Sequence, residues 1–103
     1  MMSLMFESIA FEWDEVKAKK NLDKHGIGFP LARRVFLDPN RLEFESDGEY
    51  DERRWVAIGL VADQMLVVVF TMRGEGYRII SARRAERNER EKYWNRDDES
   101  RFE

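Results

Sequence analysis

Cysteine is absent from this chain. That removes disulfides, thiolate nucleophiles and Cys-ligated zinc, and it is compatible with a reducing compartment. Histidine occurs once, at position 25, so an acid–base pair built from two histidines is excluded. Proline is scarce, with 2 in 103 residues, while hydrophobic residues make up 43% and aromatics 13%; that is the composition of a folded domain and not of a disordered chain. Long apolar runs are missing too. The longest, Met65 to Phe70, is far below membrane-spanning length, and the opening "MMSLMFESIAFEW" has no basic n-region followed by an apolar h-region. The expectation is one domain, 1–103, cytoplasmic and without membrane contact.

Positive charge is also in deficit, the formal net charge being -3. Affinity for a phosphate backbone grows with the number of Lys and Arg contacts, so the sum argues against nucleic acid. The distribution argues otherwise. Residues 41 to 54, "RLEFESDGEYDERR", hold six acids against three bases, whereas residues 81 to 92 hold five bases against three acids.

The hydrophobic period assigns the elements. Ile9, Phe11 and Trp13 alternate as in a strand, and the period changes at Asp14, a good N-cap. Glu15 in the first turn and Gly26 beyond Lys24 and His25 bound a helix over about 15 to 25. Pro30 suits a first helical turn, and Leu31, Ala32, Val35 and Phe36 form a stripe that predicts a second helix over about 30 to 37, ended by "DPN". Leu42 and Phe44 alternate with charged neighbours; "RWVAIGLVA" and "MLVVVFTM" are apolar on both faces; "RGEG" turns the chain into "YRIISA". These four strands read as an antiparallel meander, followed by a helix over about 84 to 95 and a charged tail. The class is α+β, with helices on one side of a four-stranded antiparallel sheet. Trp13, Trp55 and Phe70 fall on apolar positions and belong to the core.

Several polar residues are candidates for chemistry. Arg83, Arg87 and Arg90 fall at i, i+4 and i+7, one stripe if the helix begins at 84, and such a run is most simply a solvated face. Against that, Arg78 alternates on the incoming strand and Arg73 sits in the preceding turn, so a meander ending here is expected to bring Arg73, Arg83 and Arg84 to one sheet end. Guanidinium groups fork onto phosphate oxygens and stabilise the charge that develops when a phosphodiester is attacked. His25 at a helix end serves either as a carbonyl cap or in proton transfer. Lys17, Lys20 and Lys24 make a basic stripe. The acidic segment from Glu43 to Glu52 lacks calcium-loop spacing and there is no second His for zinc, so no metal and no cofactor are expected. A solvated loop is its simplest reading, a docking surface for a partner the next; Glu52 is the one carboxylate there that can enter a site as a base or an arginine orienter.

The set "FEWDEVKAKKNLDKHGIGF", "ERRWVAIG", "LVVVFTMRG" and "RIISARRAERNERE", in that order, resembles the BrnT family of type II toxins over about residues 11 to 93. The resemblance implies a RelE-like or barnase-like ribonuclease fold, cleavage of RNA that blocks translation, and neutralisation by a BrnA-type antitoxin with a ribbon-helix-helix part. Operator DNA is then contacted only through that antitoxin, in a hetero-oligomer that represses its own operon. Arg73 in "TMRG", Arg83 and Arg84 in "SARRA", and Lys24 and His25 in "KHG" match positions expected at the active site. The roles read here are phosphate binding by Arg83 and Arg84 with help from Arg73, proton transfer by His25 or Glu52, and substrate binding by Lys17, Lys24 and Arg87. A noncatalytic RNA- or protein-binding module, an inactive relative serving as co-repressor, fits the same residues.

Overall fold

The change of period at Asp14 becomes the first strand-to-helix junction. The computed structural model describes residues 9–48 and 51–96; in it β1 (Phe11–Glu12) leads into α1 (Glu15–His25). The Asp14 carboxylate accepts the backbone N–H of Lys17 at 3.0 Å, satisfying one of the donors left over at a helix start. At the other end Gly26 takes a left-handed φ of 72° and donates its N–H to the carbonyl of Leu22 at 2.8 Å. The second helix occupies the span its stripe predicted but changes type within it. An α-helical turn, α2 (Phe29–Ala32), tightens into a 3-10 turn over Arg33–Leu37. Pro39 forces Asp38 into an extended conformation there and ends the helix.

Four strands follow as the meander predicted: β2 (Leu42–Glu45), β3 (Trp55–Val61), β4 (Gln64–Arg73) and β5 (Gly76–Arg84). The sheet nevertheless has five strands and is mixed, in the order β1-β5-β4-β3-β2, because β1 pairs in parallel with β5 at Phe11↔Tyr77 and Glu12↔Arg78. A register shift lies where Val69 faces Ser81 and Phe70 faces Ile79, so Ile80 is the extra residue of a bulge. The last helix, α3 (Arg87–Trp94), starts three residues later than the composition suggested. Its boundary is a capping box: the side chains of Glu86 and Glu89 each take the other residue's backbone N–H. Arg83 is therefore on a strand, and the stripe of Arg83, Arg87 and Arg90 does not exist.

Alternation along β4 divides the core. Leu66, Val68 and Phe70 pack with Ile27, Phe29, Val35, Phe36, Ile79 and Ala82 under α1 and α2. Met65 and Val67, pointing the other way, pack with Ile58, Ala85 and Tyr93 under α3. The helices thus cover both faces and not one. Phe36 stacks on Tyr77 with centroids 4.6 Å apart and meets Phe70 edge-on at 5.0 Å, while Trp13 and Trp55 are half-buried against the same cluster. No helix among the described residues is long and apolar enough to cross a membrane.

Side chains close the sheet where strands run out. β2 pairs with β3 only as far as Ile58, and beyond it the N–H of Leu60 is taken by Asp38 Oδ2 at 2.8 Å. The same oxygen accepts the Tyr93 hydroxyl at 2.7 Å, and Oδ1 accepts the Asn40 N–H at 2.9 Å. Burial opposes ionisation of Asp38, but the Leu60 N–H, the Tyr93 hydroxyl, the Asn40 N–H and the charge of Arg96 outweigh it and hold the carboxyl below its ordinary range. Burial, and then Asp38, push the Tyr93 hydroxyl up to about 12. This one carboxylate ties α3 to the sheet.

Candidate active site

The final residues of β5 and the final turn of α1 come together at one end of the sheet. Arg84 lies on the α1 face of β5, and its Nη1 donates to the carbonyl oxygen of His25 at 3.3 Å. The guanidinium lies beside Gly26, where an added Cβ would sit 3.8 Å from Nη1. Because a carbonyl takes one hydrogen of a five-donor fork, the other donors of exposed Arg84 are left for an anion. Lys24 is exposed at the same turn and His25 is half-buried. Lys17 and Lys20 continue the cationic line along α1, and neither they nor Lys24 form an ion pair among the described residues.

Arg83 points to the opposite face, as successive strand residues must. Its guanidinium is gripped at two points by Glu89, Nη1 to Oε1 at 2.8 Å and Nη2 to Oε2 at 2.7 Å, with the side chains 37% and 20% exposed. The hydrogen bond to Glu89 raises the pKa of Arg83, and the same bond lowers that of Glu89. Arg83 therefore already has a carboxylate in the place a phosphate would take, and it cannot share one phosphate with Arg84 through a side-by-side grip. On α3, Arg90 donates to the carbonyl of Ala85 at 2.8 Å, and exposed Arg87 pairs with Glu91 at 3.2 Å.

Arg73 and Glu52 belong elsewhere. Arg73 faces Gly76 in the β4–β5 ladder, whereas Arg83 faces Val67, and six residues of strand separate the two levels by roughly 20 Å. The expectation that Arg73, Arg83 and Arg84 meet at one sheet end is overturned by this antiparallel register: the turn lies between them. Glu52 is exposed in the loop leading to β3 and, with Arg53, Trp55, Thr71 and Met72, lines an open hollow of 350 Å³ at Arg73's end. The acidic segment is partly neutralised, Glu45 being forked by Arg53 at 2.9 Å and Glu43 paired with Arg41; Glu49 lies outside the described residues. Among the described residues no three His, Asp or Glu side chains are grouped so as to hold a metal ion.

The residues that shape this end without being read from the sequence are Asn21 and Glu89. Asn21, 7% exposed, is hydrogen-bonded to Ile27 and to both backbone groups of Ala82. Its spacing from Ala18 and His25 on one helix face was the available signal; that a single amide would serve a strand sixty residues away was not. Comparison with known proteins adds one finding. Residues 13–89 match a family described as the ribonuclease toxin, BrnT, of type II toxin-antitoxin systems. No curated protein shows a significant match to the chain.

Proposed function

The chain belongs to the BrnT family of ribonuclease toxins of type II toxin–antitoxin systems, and from that premise we propose that it is a metal-independent endoribonuclease whose active centre lies where the end of α1 meets the end of β5. Membership of the family brings with it an RNA target and an antitoxin partner. The observation that supports the location is the contact of Arg84 with the His25 carbonyl at 3.3 Å, which brings an always-charged guanidinium to the backbone of the turn that carries Lys24 and the chain's one histidine.

The chemistry suited to these groups needs no external nucleophile. The 2′-hydroxyl of the substrate attacks the adjacent phosphorus, the bond to the 5′-oxygen breaks, and the products are a 2′,3′-cyclic phosphate and a 5′-hydroxyl. His25 takes the proton from the 2′-oxygen, Lys24 supplies one to the departing 5′-oxygen, and Arg84 stabilises the extra charge on the phosphoryl oxygens in between. Lys17 receives a flanking phosphate, and Arg87 extends the cationic surface on the far side of β5. Glu52 has no part in this step, being at the other end of the sheet.

In the cell, RNA cleavage by this centre blocks translation. A BrnA-type, ribbon-helix-helix antitoxin neutralises it, and the complex reaches operator DNA through the antitoxin and represses its own operon. The test is cleavage of a defined end-labelled RNA in divalent-metal chelator by wild type, Arg84→Ala and His25→Ala, with the new ends identified. The expected result is a cyclic phosphate from wild type and a loss of about 10²–10³-fold for Arg84→Ala, the usual effect of removing one transition-state donor. Equal cutting by Arg84→Ala overturns the location; RNA binding without cutting, on free RNA and on translating ribosomes, establishes a noncatalytic module.

A further inference from the structure

We propose that Asn21 is the positioning residue of this centre, through a side-chain amide that replaces a missing strand at the edge of β5. The inference rests on the reading of the Lys24–His25–Arg84 cluster given above. β1 covers β5 only at Tyr77 and Arg78, so further along the edge Ala82 presents an N–H and a C=O with no strand to receive them. Asn21 takes both. Its Oδ1 accepts the Ala82 N–H at 3.1 Å, and its Nδ2 donates to the Ala82 carbonyl at 2.8 Å and to the Ile27 carbonyl at 2.9 Å.

The three bonds join the segments that carry the cluster. Asn21 lies one helical turn before His25, Ile27 is the residue after Gly26, and Ala82 is two residues before Arg84 and therefore on the same face of β5. The one other hydrogen bond between α1 and β5 among the described residues is that of Arg84 to His25. Asn21 thus sets how far His25 and Lys24 stand from Arg84 while touching neither phosphate nor ribose. The position demands an amide. A carboxylate has no hydrogen to give two carbonyls, an alanine leaves three buried backbone groups unpaired, and glutamine is one methylene too long for a 7% exposed site.

The experiment is a kinetic double-mutant cycle on the end-labelled RNA, using Asn21→Ala, Asn21→Ser and Asn21→Asp, each alone and combined with Arg84→Ala. Rates are taken at a temperature where circular dichroism shows the variant folded. Positioning predicts a fall in kcat of about 100-fold, the scale of a 1 Å misplacement, with KM little changed. It also predicts that each double variant is no slower than Arg84→Ala alone, since a misplaced Arg84 has nothing further to lose. Losses that multiply, or full kcat in any folded Asn21 variant, overturn the proposal, and failure of all three variants to fold reduces Asn21 to a structural residue. If Arg84→Ala is itself as active as wild type, the location of the centre has failed and the role of Asn21 falls with it; an impaired Arg84→Ala beside a fully active, folded Asn21 variant overturns the role of Asn21 alone.

Discussion

Removing one oxygen atom, in Tyr93→Phe, tests how α3 is held. The hydroxyl is 2.7 Å from Asp38 Oδ2 and the residue is 1% exposed, so the substitution leaves packing intact and deletes a hydrogen bond to a charged acceptor. Such bonds contribute about 1.5–3 kcal/mol, and Asp38 keeps the Leu60 and Asn40 donors, so no orphaned charge is added. The expected loss at neutral pH is about 2 kcal/mol, or roughly 10 °C in Tm for a domain of this size. A second estimate comes from titration. The Tyr93 hydroxyl is pushed up to about 12 from 10.0, and a raised folded pKa contributes stability that is complete below pH 10.0 and lost as pH rises through 12. At 1.36 kcal/mol for each pH unit, that window is worth about 2–3 kcal/mol, of which burial supplies the largest share and the contact with Asp38 the next. Urea unfolding of both proteins, followed by circular dichroism at increasing pH, should therefore show a stability difference that shrinks toward zero as tyrosinate forms. A difference that stays constant across that range, or no difference at pH 7, refutes the coupling of Tyr93 to Asp38.

Other consequences can be checked with further variants. Glu89→Gln keeps an acceptor for the Glu86 N–H but removes the charge that grips Arg83; stability should fall by about 1 kcal/mol in chemical denaturation, more at low salt than at high. The carboxyl of Glu89 is lowered by Arg83, so its contribution is present above the ordinary glutamate range and lost as pH falls through the lowered value, and Glu89→Gln should flatten that part of the acid limb. At Gly76 an added Cβ would lie 2.5 Å from the backbone oxygen of Ala10; Gly76→Ala should cost about 1–3 kcal/mol and expose the Tyr77 N–H, now bonded to Ala10, to faster hydrogen exchange. Replacing Lys17, Lys20 and Lys24 together by glutamine should lower the slope of log affinity for single-stranded RNA against log salt by about 2 if all three meet phosphates, and leave it unchanged if they face only solvent.

The helix and strand identities were legible because their signals are local. Asp14 and Gly26 bound α1 where the sequence said they would, and the period-two runs became β2 to β5. What escaped was set by pairing across the chain. The alternation at Ile9, Phe11 and Trp13 marked a strand, yet nothing local says that two residues of it lie parallel to β5. The start of α3 depended on a capping box between Glu86 and Glu89, whose charged surroundings read equally as helix interior. For the site, the fold brings "KHG" and "SARRA" together, Arg84 reaching the carbonyl of His25. Arg83, Arg73 and Glu52 were assigned by proximity in motif, and strand alternation and antiparallel register then dispersed them to another face and another end.

The contact between His25 and Arg84 spans 59 residues of chain. At a synthesis rate of 5–20 residues per second, about 3–12 seconds separate the making of its two halves. Until β5 is made and has added to the sheet, the chain carries a helix with lysines and a histidine but no centre, so messages cut short before the "SARRA" segment yield fragments without the cluster. Any hazard that the finished protein presents begins only once β5 has been made.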